Sequence, residues 1–323
     1  MEKEGGLKTA EFAGLWGVSR STHWRWVSGR VKPFVGRARR ITEAVRAKVL
    51  EVDKRNRSTW DTRSIAKVVG ISHGSVAKIL AEARGPRPKR KEAPHLNRTK
   101  FLGRDVMWSS DYTSVPGRRK LLKTLDEMSR HRPGWDICLE TAEAAVKHGE
   151  SLIKCMGRAP LVWKYDHGSP FTSGLFQEFL RRHKTIGYPT QARAPWTNGR
   201  TERDNREIKN WLIPVKDDVS DAELEKEVDE GMLMLNNIKP RAVLGYKTSA
   251  SVYFHSQGMA HLDRDKVALQ LEEIKRRLAP KKGERLHRQA VRELLKKLGL
   301  YEEWEVTRKA ESVNRTDQKN VSI

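Results

Sequence analysis

Three acidic residues of the sequence stand where a carboxylate can reach an open site. Asp111 lies in the extended apolar segment 106–112, and Asp166 ends a short apolar run that a Gly-Ser-Pro turn follows at once. Glu202 lies where a turn rich in Pro, Asn and Gly leads into a helix. Two carboxylates at strand ends and one on a helix can share two divalent ions, and a pair of Mg²⁺ ions about 3.5–4 Å apart suits in-line displacement at phosphorus.

The helix that begins near Glu202 carries an unusual combination of charges. Glu202, Arg206 and Lys209 share one face, because seven residues make two helical turns. Ile208 and Trp211 belong to an apolar stripe beside that face. One acidic group on a basic face predicts that Glu202 holds a cation while Arg206 and Lys209 contact DNA phosphates.

Each acid also has a plainer interpretation. Asp111 could form a structural salt bridge, because an unpaired carboxylate in a buried strand is costly. Asp105 and Asp126 are alternatives for the first acid, although Asp126 lies on the neighbouring strand, where we expect it to turn away. Glu202 could be a first-turn glutamate that the helix dipole stabilises, and Lys209 could be a solvated lysine.

These residues and their flanks resemble a known family. Asp111, Asp166 and Glu202, with 35 residues between the last two, resemble the D-D-E triad of retroviral integrases and bacterial insertion-sequence transposases. Residues 166–171 read D-H-G-S-P-F and are similar to the family's D-N-G-x-x-F, with His167 where Asn is usual. Residues 195–202 read P-W-T-N-G-R-T-E and are similar to P-x-x-N-(G/A)-x-x-E.

Two further matches extend the resemblance to roughly residues 100–256. Lys209 stands seven residues after Glu202, where the family often has a lysine. Residues 236–246 resemble a later Y-N-x-x-R-P-H-x-x-L-G block, with changes at its Tyr, Arg-Pro and His positions. Several linked motifs in the right order are a stronger signal than any one of them.

The resemblance implies both a fold and an activity. The fold is a ribonuclease-H-like α/β core with a mixed five-stranded sheet, in which Asp111 and Asp166 occupy adjacent parallel strands and the Glu202 helix closes the site. The activity is that of a DNA transposase, in which Asp111, Asp166 and Glu202 are catalytic and hold two Mg²⁺ or Mn²⁺ ions. Its partners are double-stranded DNA, both the terminal repeats and the target, and further copies of the chain in a homo-oligomer. The alternatives are a catalytically inactive helix-turn-helix regulator and a metal nuclease of the same fold.

Composition agrees with a partner that carries negative charge. The 323 residues have a net charge of +23, and most of the excess lies in the first hundred. Nucleic acid is the expected partner, with an anionic membrane surface as the competing interpretation. No apolar run approaches the ~20 residues that span a bilayer, and no signal peptide is visible. Two cysteines, Cys138 and Cys155, predict reduced thiols in the cytoplasm, where the protein would associate with the nucleoid when bound to DNA.

Helix-turn-helix patterns predict where DNA is read. Residues 1–36 form a first all-α unit, and residues 37–84 form a second unit of three helices. A plain helical hairpin is the alternative for the first unit. The residues expected to face DNA are Arg20, Ser21, Thr22 and Arg25 in the first unit, the basic run Arg37, Arg39 and Arg40, and His73, Ser75 and Lys78 in the second.

The predicted architecture is therefore multidomain. A basic linker at residues 85–100 follows the helical units and leads to the catalytic core at residues 101–256. A helical carboxy-terminal region at residues 257–306 provides subunit or DNA contacts, and the polar tail at 307–323 is expected to be disordered.

Overall fold

The computed structural model describes Ser21 and residues 41–85, 96–191, 199–258, 262–279 and 282–306. The chain divides into two compact units, Met1–Arg46 and Ala47–Ile323, and the second contains nearly all described residues. Most of the predicted first helix-turn-helix and the whole predicted tail therefore lie outside the described residues. Ser21 is helical and exposed.

Three helices occupy the positions of the predicted second DNA-binding unit. They are α1 (Glu43–Arg55), α2 (Thr62–Val69) and α3 (His73–Arg84). Asp61 begins α2 by accepting hydrogen bonds from two backbone N–H groups, and Gly70 ends it with a φ of 78°. Ser72 caps α3. The apolar side chains that the three helices bury include Val49, Ile65, Val76, Ile79 and Leu80.

A mixed five-stranded sheet forms the centre of the chain, as predicted. After a separate strand β1 (Leu96–Phe101), its strands are β2 (Met107–Val115), β3 (Arg119–Asp126), β4 (Gly134–Ile137), β5 (Val162–Tyr165) and β6 (Ile186–Pro189). The order across the sheet is β4-β3-β2-β5-β6. Strands β2, β3 and β4 pair antiparallel in that order, whereas β5 pairs parallel with β2 and β6 pairs parallel with β5, each after a helical crossover. This topology confirms the predicted ribonuclease-H-like core.

Aromatic side chains cover one face of the sheet. The crossover helices are α4 (Ala142–Met156), α5 (Ser169–Thr172) and α6 (Gly174–Arg182). Trp108 and Trp163 meet edge to face, with ring centroids 5.5 Å apart, and Phe176 and Phe179 of α6 pack against Trp163. Gly149 lets α4 pack closely against α6, because a Cβ at residue 149 would lie 2.4 Å from the Phe179 ring.

The helix that carries Glu202 is held by the helix that follows it. Glu202 lies on α7 (Gly199–Leu212), and the helix that follows is α8 (Asp221–Asn237). A 3-10 helix (Ala242–Leu244) and α9 (Ser249–Phe254) come next in the chain. Trp211 of α7 contacts Gly231 of α8, where a Cβ would lie 2.5 Å from the indole. The Arg57 guanidinium stacks 4.2 Å above the Trp211 ring and forms a 2.6 Å ion pair with Glu227. The three-helix unit therefore packs directly on α7 and α8.

The carboxy-terminal region packs on the second face of the sheet. Its elements are α10 (Arg264–Leu278), α11 (Gly283–Lys297) and β7 (Tyr301–Val306). Leu271 and Ile274 of α10 and Leu294 of α11 share a buried cluster with Met107 and Val162, the first residues of β2 and β5. The two helices confirm the predicted helical character of this region, and their buried side chains pack on the core itself.

Strand β7 departs from the prediction of an all-helical end. It pairs antiparallel with β1, which takes up the last residues of the predicted basic linker. Lys100 stands opposite Glu302, and such opposite charges stabilise a strand pair. The two paired segments lie before and after the core in the sequence, so the sequence of either segment alone does not predict the pairing. None of the helices in the described ranges is long and apolar enough to cross a membrane.

Candidate active site

Asp111 in the middle of β2 and Asp166 directly after β5 lie side by side. Parallel pairing places Ser109 of β2 opposite Lys164 of β5. Asp111 and Asp166 each lie two residues further along, so they are level with each other and point to the same face. The two carboxylates are close enough to interact, because the Asp166 charge helps to raise the pKa of Asp111. The structure thus brings two of the three predicted acids together.

The Asp111 carboxylate is partly removed from water and has two favourable neighbours. Burial is the largest effect, and it raises the pKa of Asp111 above its ordinary value. Asn205 of α7 opposes this rise by donating a 2.5 Å hydrogen bond from Nδ2 to Oδ2 of Asp111. Lys123, the cross-strand partner of Asp111, also favours the charged form. The two neighbours offset part of the effect of burial, but the pKa of Asp111 stays above its ordinary value.

The Asn205 side chain leaves one acceptor unused. Its Oδ1 is buried and has no hydrogen-bond partner within the described part of the chain. A buried amide oxygen without a donor is costly, and a cation held by the neighbouring carboxylate can satisfy it. Carboxylate and amide oxygens are hard donors of the kind that Mg²⁺ and Mn²⁺ take. The residues present therefore fit a divalent cation.

A tight turn fixes the Asp166 carboxylate. Its Oδ1 accepts a 3.0 Å hydrogen bond from the backbone N–H of Gly168. A Cβ on residue 168 would lie only 3.0 Å from the same oxygen, so the glycine leaves room for the turn. The neighbouring His167 donates from Nε2 to the backbone oxygen of Thr190 at 2.7 Å. The histidine found where the family usually has asparagine thus braces the turn through a local hydrogen bond.

Glu202 stands apart from the two aspartates. It is exposed on the first turn of α7, three residues before Asn205 and hence on a neighbouring part of the same face. Within the described ranges, no three His, Cys, Asp or Glu side chains lie close enough together to hold a metal ion. Asn205 shows that this face of α7 points at Asp111. The turn at residues 192–198, which leads into α7, lies outside the described residues.

The alternative first acids are engaged in structural bonds. The Asp105 carboxylate accepts hydrogen bonds from the Trp108 indole at 3.0 Å and from the Tyr253 hydroxyl at 2.5 Å. Asp126 accepts from the backbone N–H of Asp105 at 2.9 Å and from Ser129. Burial raises the pKa of Asp126 to about 6. These two carboxylates hold the strand ends together, whereas Asp111 is the acid that lies beside Asp166.

Most of the predicted DNA contacts that the structure describes are exposed. Arg206 and Lys209 are exposed on α7, and His73 and Lys78 are exposed on α3. Ser75 is half-buried, and its hydroxyl lies 2.9 Å from that of the capping residue Ser72. The predicted contacts that lie outside the described residues are Arg20, Thr22, Arg25, Arg37, Arg39 and Arg40.

A buried network of charges holds α7 against the sheet. Asp204 forms ion pairs with Lys123 of β3 and with Arg132, which follows that strand. Burial alone would raise the pKa of Asp204, but Arg132 and Lys123 outweigh it and hold the pKa below its ordinary value. Glu207, one turn further on, lies 3.3 Å from Arg132 and 2.9 Å from Arg241. Sequence reasoning had not assigned a role to Asp204, Glu207 or Arg132.

The altered block at residues 236–246 belongs to this network. The Asn236 amide exchanges two 3.0 Å hydrogen bonds with the backbone of Arg132, accepting from its N–H and donating to its carbonyl. Lys239 and Arg241 both pair with Glu207, at 3.2 and 2.9 Å. These residues position the helix that carries Glu202 and Asn205. Asn205 itself was detectable in the sequence, since it lies on the Glu202 face.

Comparison with known proteins agrees with this geometry. Residues 103–195 match the family model described as the integrase core domain. The match confirms, for this part of the chain, the resemblance to integrases and transposases, and it supports a role in DNA integration or transposition. None of the curated proteins that were compared matches the chain.

Solved structures of viral integrases are similar to parts of the chain. The catalytic core domain of BIV integrase is 18% identical, covering 46% of this chain and 94% of its own, with a TM-score of 0.40. The HTLV-2 integrase catalytic core domain in complex with magnesium, in its dimeric form, is 22% identical, covering 49% and 100%, with a TM-score of 0.40. A simian T-cell lymphotropic virus intasome in complex with PP2A regulatory subunit B56 gamma is 17% identical, covering 65% and 76%, with a TM-score of 0.45.

Proposed function

We propose that the chain is a DNA transposase of the D-D-E class. It binds the terminal repeats of a mobile DNA element, cleaves a phosphodiester there and joins the freed 3′-hydroxyl to target DNA. The observation that carries this proposal is the pair of level carboxylates, Asp111 and Asp166, beside the unsatisfied Asn205 oxygen in an integrase core. Asp111, Asp166 and Glu202 are assigned as the catalytic residues that hold two Mg²⁺ or Mn²⁺ ions.

Different residues of the chain hold the metal ions, orient the carboxylates and bind the DNA phosphates. Bound divalent ions supply activation of the attacking oxygen and neutralisation of charge at phosphorus. Asn205 orients the Asp111 carboxylate, and the buried network keeps α7 in place. Arg206 and Lys209 hold backbone phosphates beside the site. Water is the nucleophile for cleavage and the freed 3′-hydroxyl is the nucleophile for joining, so no covalent protein–DNA bond is needed.

The predicted DNA-reading units belong to the same proposal. Helix α3 serves as the recognition helix of the second unit, with His73, Ser75 and Lys78 toward the groove. The first unit, at residues 1–36, lengthens the site that is read. Two element ends must be held together for joining, so we infer a homo-oligomer on DNA. The protein acts in the cytoplasm, at the nucleoid.

Removal of metal provides the direct test. Purified full-length protein with Mg²⁺ or Mn²⁺ and labelled DNA from the flanks of its own genomic copy should give joined products, and EDTA should remove them entirely. Gel analysis of cleaved and joined strands measures both steps. Specific binding without cleavage in either metal would indicate a regulator that lacks catalysis. Cleavage without joining would indicate a metal nuclease of the same fold.

The Asn205→Ala variant should weaken metal binding at the site without abolishing it. It removes both the donor to Asp111 and the unsatisfied Oδ1 beside it. Groups that orient metal ligands typically contribute 10–100-fold in metal affinity or activity. We therefore expect a joining rate lower by about 10–100-fold and a higher Mg²⁺ concentration for half-maximal joining.

A matched asparagine on the same helix provides the control. Asn210 is exposed on α7, and Asn210→Ala should join at the wild-type rate. If Asn205→Ala joined DNA at the wild-type rate and with the wild-type Mg²⁺ requirement, Asn205 would have no role in the site.

A further inference from the structure

A basic cleft opens between the three-helix unit and the segment that follows α8. Its volume is about 580 Å³, and its walls include Arg63 and Lys67 of α2, Ile71 and His73 at the start of α3, and Tyr246 on the opposite side. The cleft is distinct from the Asp111 and Asp166 pair.

Direct bonds hold the two walls together. The Ser64 hydroxyl on α2 donates to the backbone oxygen of Pro240 at 2.8 Å, and this bond is buried. The Lys239 ammonium donates to the backbone oxygen of Thr59 at 3.5 Å. The cleft is therefore built into the contact between the unit and the core.

The lining has the chemistry of a phosphate-binding surface. It offers a guanidinium, an ammonium and an imidazole, and none of the described residues that line it is acidic. Arg63 and Lys67 are exposed, and neither forms an ion pair with an acid in the described ranges. Two unpaired cations that face one cleft attract a polyanion, and Arg and Lys are the usual contacts to DNA phosphates.

Tyr246 holds a conformation that its residue type disfavours. Its φ is +63°, in the left-handed region, where a bulky side chain is uncommon and glycine is favoured. The preceding Gly245 has the same φ. A turn alone would be served at least as well by a second glycine. The aromatic ring in the cleft wall therefore points to contact with a ligand.

We propose that this cleft binds the phosphodiester backbone of the element-end duplex, beside the helix that reads its bases. Arg63 and Lys67 contact phosphates, and the Tyr246 ring packs against the adjoining sugar. His73 belongs both to the cleft and to the start of α3, so the strand that α3 engages passes through the cleft. The inference rests on the proposed function, because it takes the ligand to be end DNA.

The cleft is linked to the catalytic helix. Its wall and the Glu207 partners belong to one short segment, in which the Tyr246 N–H donates to the backbone oxygen of Arg241 at 2.8 Å. Arg241 and Lys239 pair with Glu207 of α7 at 2.9 and 3.2 Å. DNA seated in the cleft thus contacts the segment that braces the helix of Glu202 and Asn205.

Salt dependence separates a phosphate contact from a contact to a base. Each phosphate contact steepens the fall of log K with log salt by about 0.9 for duplex DNA. The double variant Arg63→Ala, Lys67→Ala should therefore flatten that slope by about 1.8 relative to wild type. Binding to end DNA and to unrelated duplex should weaken by the same factor, because phosphate contacts carry no sequence information.

The control variant removes the same charge elsewhere. Lys147 and Lys154 are exposed on α4, on the face of the sheet opposite α7. The double variant Lys147→Ala, Lys154→Ala should keep a slope close to that of wild type. Fluorescence anisotropy with labelled duplexes over a range of KCl concentrations measures both variants in the full chain.

Tyr246→Gly tests the ring independently of charge. Glycine suits the left-handed backbone, so thermal stability should be unchanged or higher. Binding of end DNA should nevertheless weaken severalfold. If Tyr246→Gly kept both the wild-type stability and the wild-type affinity for end DNA, the Tyr246 ring would not contact DNA.

The outcomes distinguish this inference from the proposed function. If wild-type protein neither binds nor joins end DNA, the proposed function fails and the cleft fails with it. If wild type binds and joins while the Arg63, Lys67 variant keeps the slope of the control, only the cleft assignment is overturned. A flattened slope with unchanged preference for end DNA supports the cleft.

Discussion

Asp166→Asn and Glu202→Gln should each lower strand joining by about a thousandfold or more while end binding remains intact. Each substitution removes a negative charge and keeps the size of the side chain. Metal ions at such a site supply several kcal/mol of transition-state stabilisation, and each 1.36 kcal/mol corresponds to a factor of ten. An amide in place of either carboxylate loses most of that contribution, because the neutral oxygen binds a divalent ion weakly.

The Asp166 variant is a clean test because the local fold is preserved. The asparagine oxygen can still accept the hydrogen bond from the Gly168 N–H, so the turn keeps its shape. Asp218→Asn makes the same change at an exposed residue, and it should join at the wild-type rate. Wild-type joining by Asp166→Asn would remove the proposed catalytic assignment.

The Glu202→Gln variant tests whether Glu202 is the third acid of the site. Glu202 is exposed and outside the aspartate pair, whereas Asn205 on the same helix reaches Asp111. If Glu202→Gln loses joining as Asp166→Asn does, Glu202 is the third acid and comes to the pair when DNA and metal bind. If Glu202→Gln joins normally, the site consists of Asp111, Asp166 and the Asn205 amide.

Much of the core could be predicted because its signals are local. The apolar runs that end near Asp111 and Asp166 lie in β2 and β5, and the apolar stripe of Ile208 and Trp211 is buried in α7. The proximity of the two acids follows from the parallel pairing of β2 with β5, which places Asp111 in the middle of β2 level with Asp166 directly after β5. The three helices predicted within residues 37–84 are likewise formed, and Asp61 and Ser72 cap the second and third of them.

The buried network could not be predicted, because its partners are remote in the chain. Asp204 finds Lys123 and Arg132 in or near another strand, and Asn236 finds the backbone of Arg132. In the sequence these are four polar residues of an unusually basic chain, and such residues are ordinarily assigned to the surface. Only the packing of α7 and α8 on the sheet removes them from water. The pairing of β1 with β7 escaped prediction for the same reason.

Arg132→Met should lower the free energy of unfolding by about 3–5 kcal/mol, the usual cost of removing one partner from a buried ion pair. Arg132 is 1% exposed, and its loss leaves the Asp204 and Glu207 carboxylates short of a cation in the interior. Replacement of the whole pair costs less than removal of one member. A double-mutant cycle with Asp204→Asn should therefore give a coupling of about 0.5–3 kcal/mol. Chemical denaturation of each variant measures these quantities.

The same network should make the protein sensitive to acid. The pKa values of Asp204 and Glu207 are held below their ordinary range by neighbouring cations. A carboxylate with a lowered pKa contributes stability above its unfolded pKa of about 4 and loses that contribution as the pH falls further. Wild type should therefore lose stability steeply below about pH 4, and Asp204→Asn should show a shallower loss over the same interval.

An exposed ion pair provides the control for both measurements. Arg277 and Glu293 lie 2.6 Å apart, but the Arg277 side chain is 69% exposed, and pairs of that kind contribute about 0–1 kcal/mol. Arg277→Met should therefore leave stability and its acid dependence close to those of wild type. If Arg132→Met were no more destabilising than Arg277→Met, the buried charges would not hold α7. In that case the position of Asn205 against Asp111 would depend on the apolar contact of Trp211 with Gly231 instead.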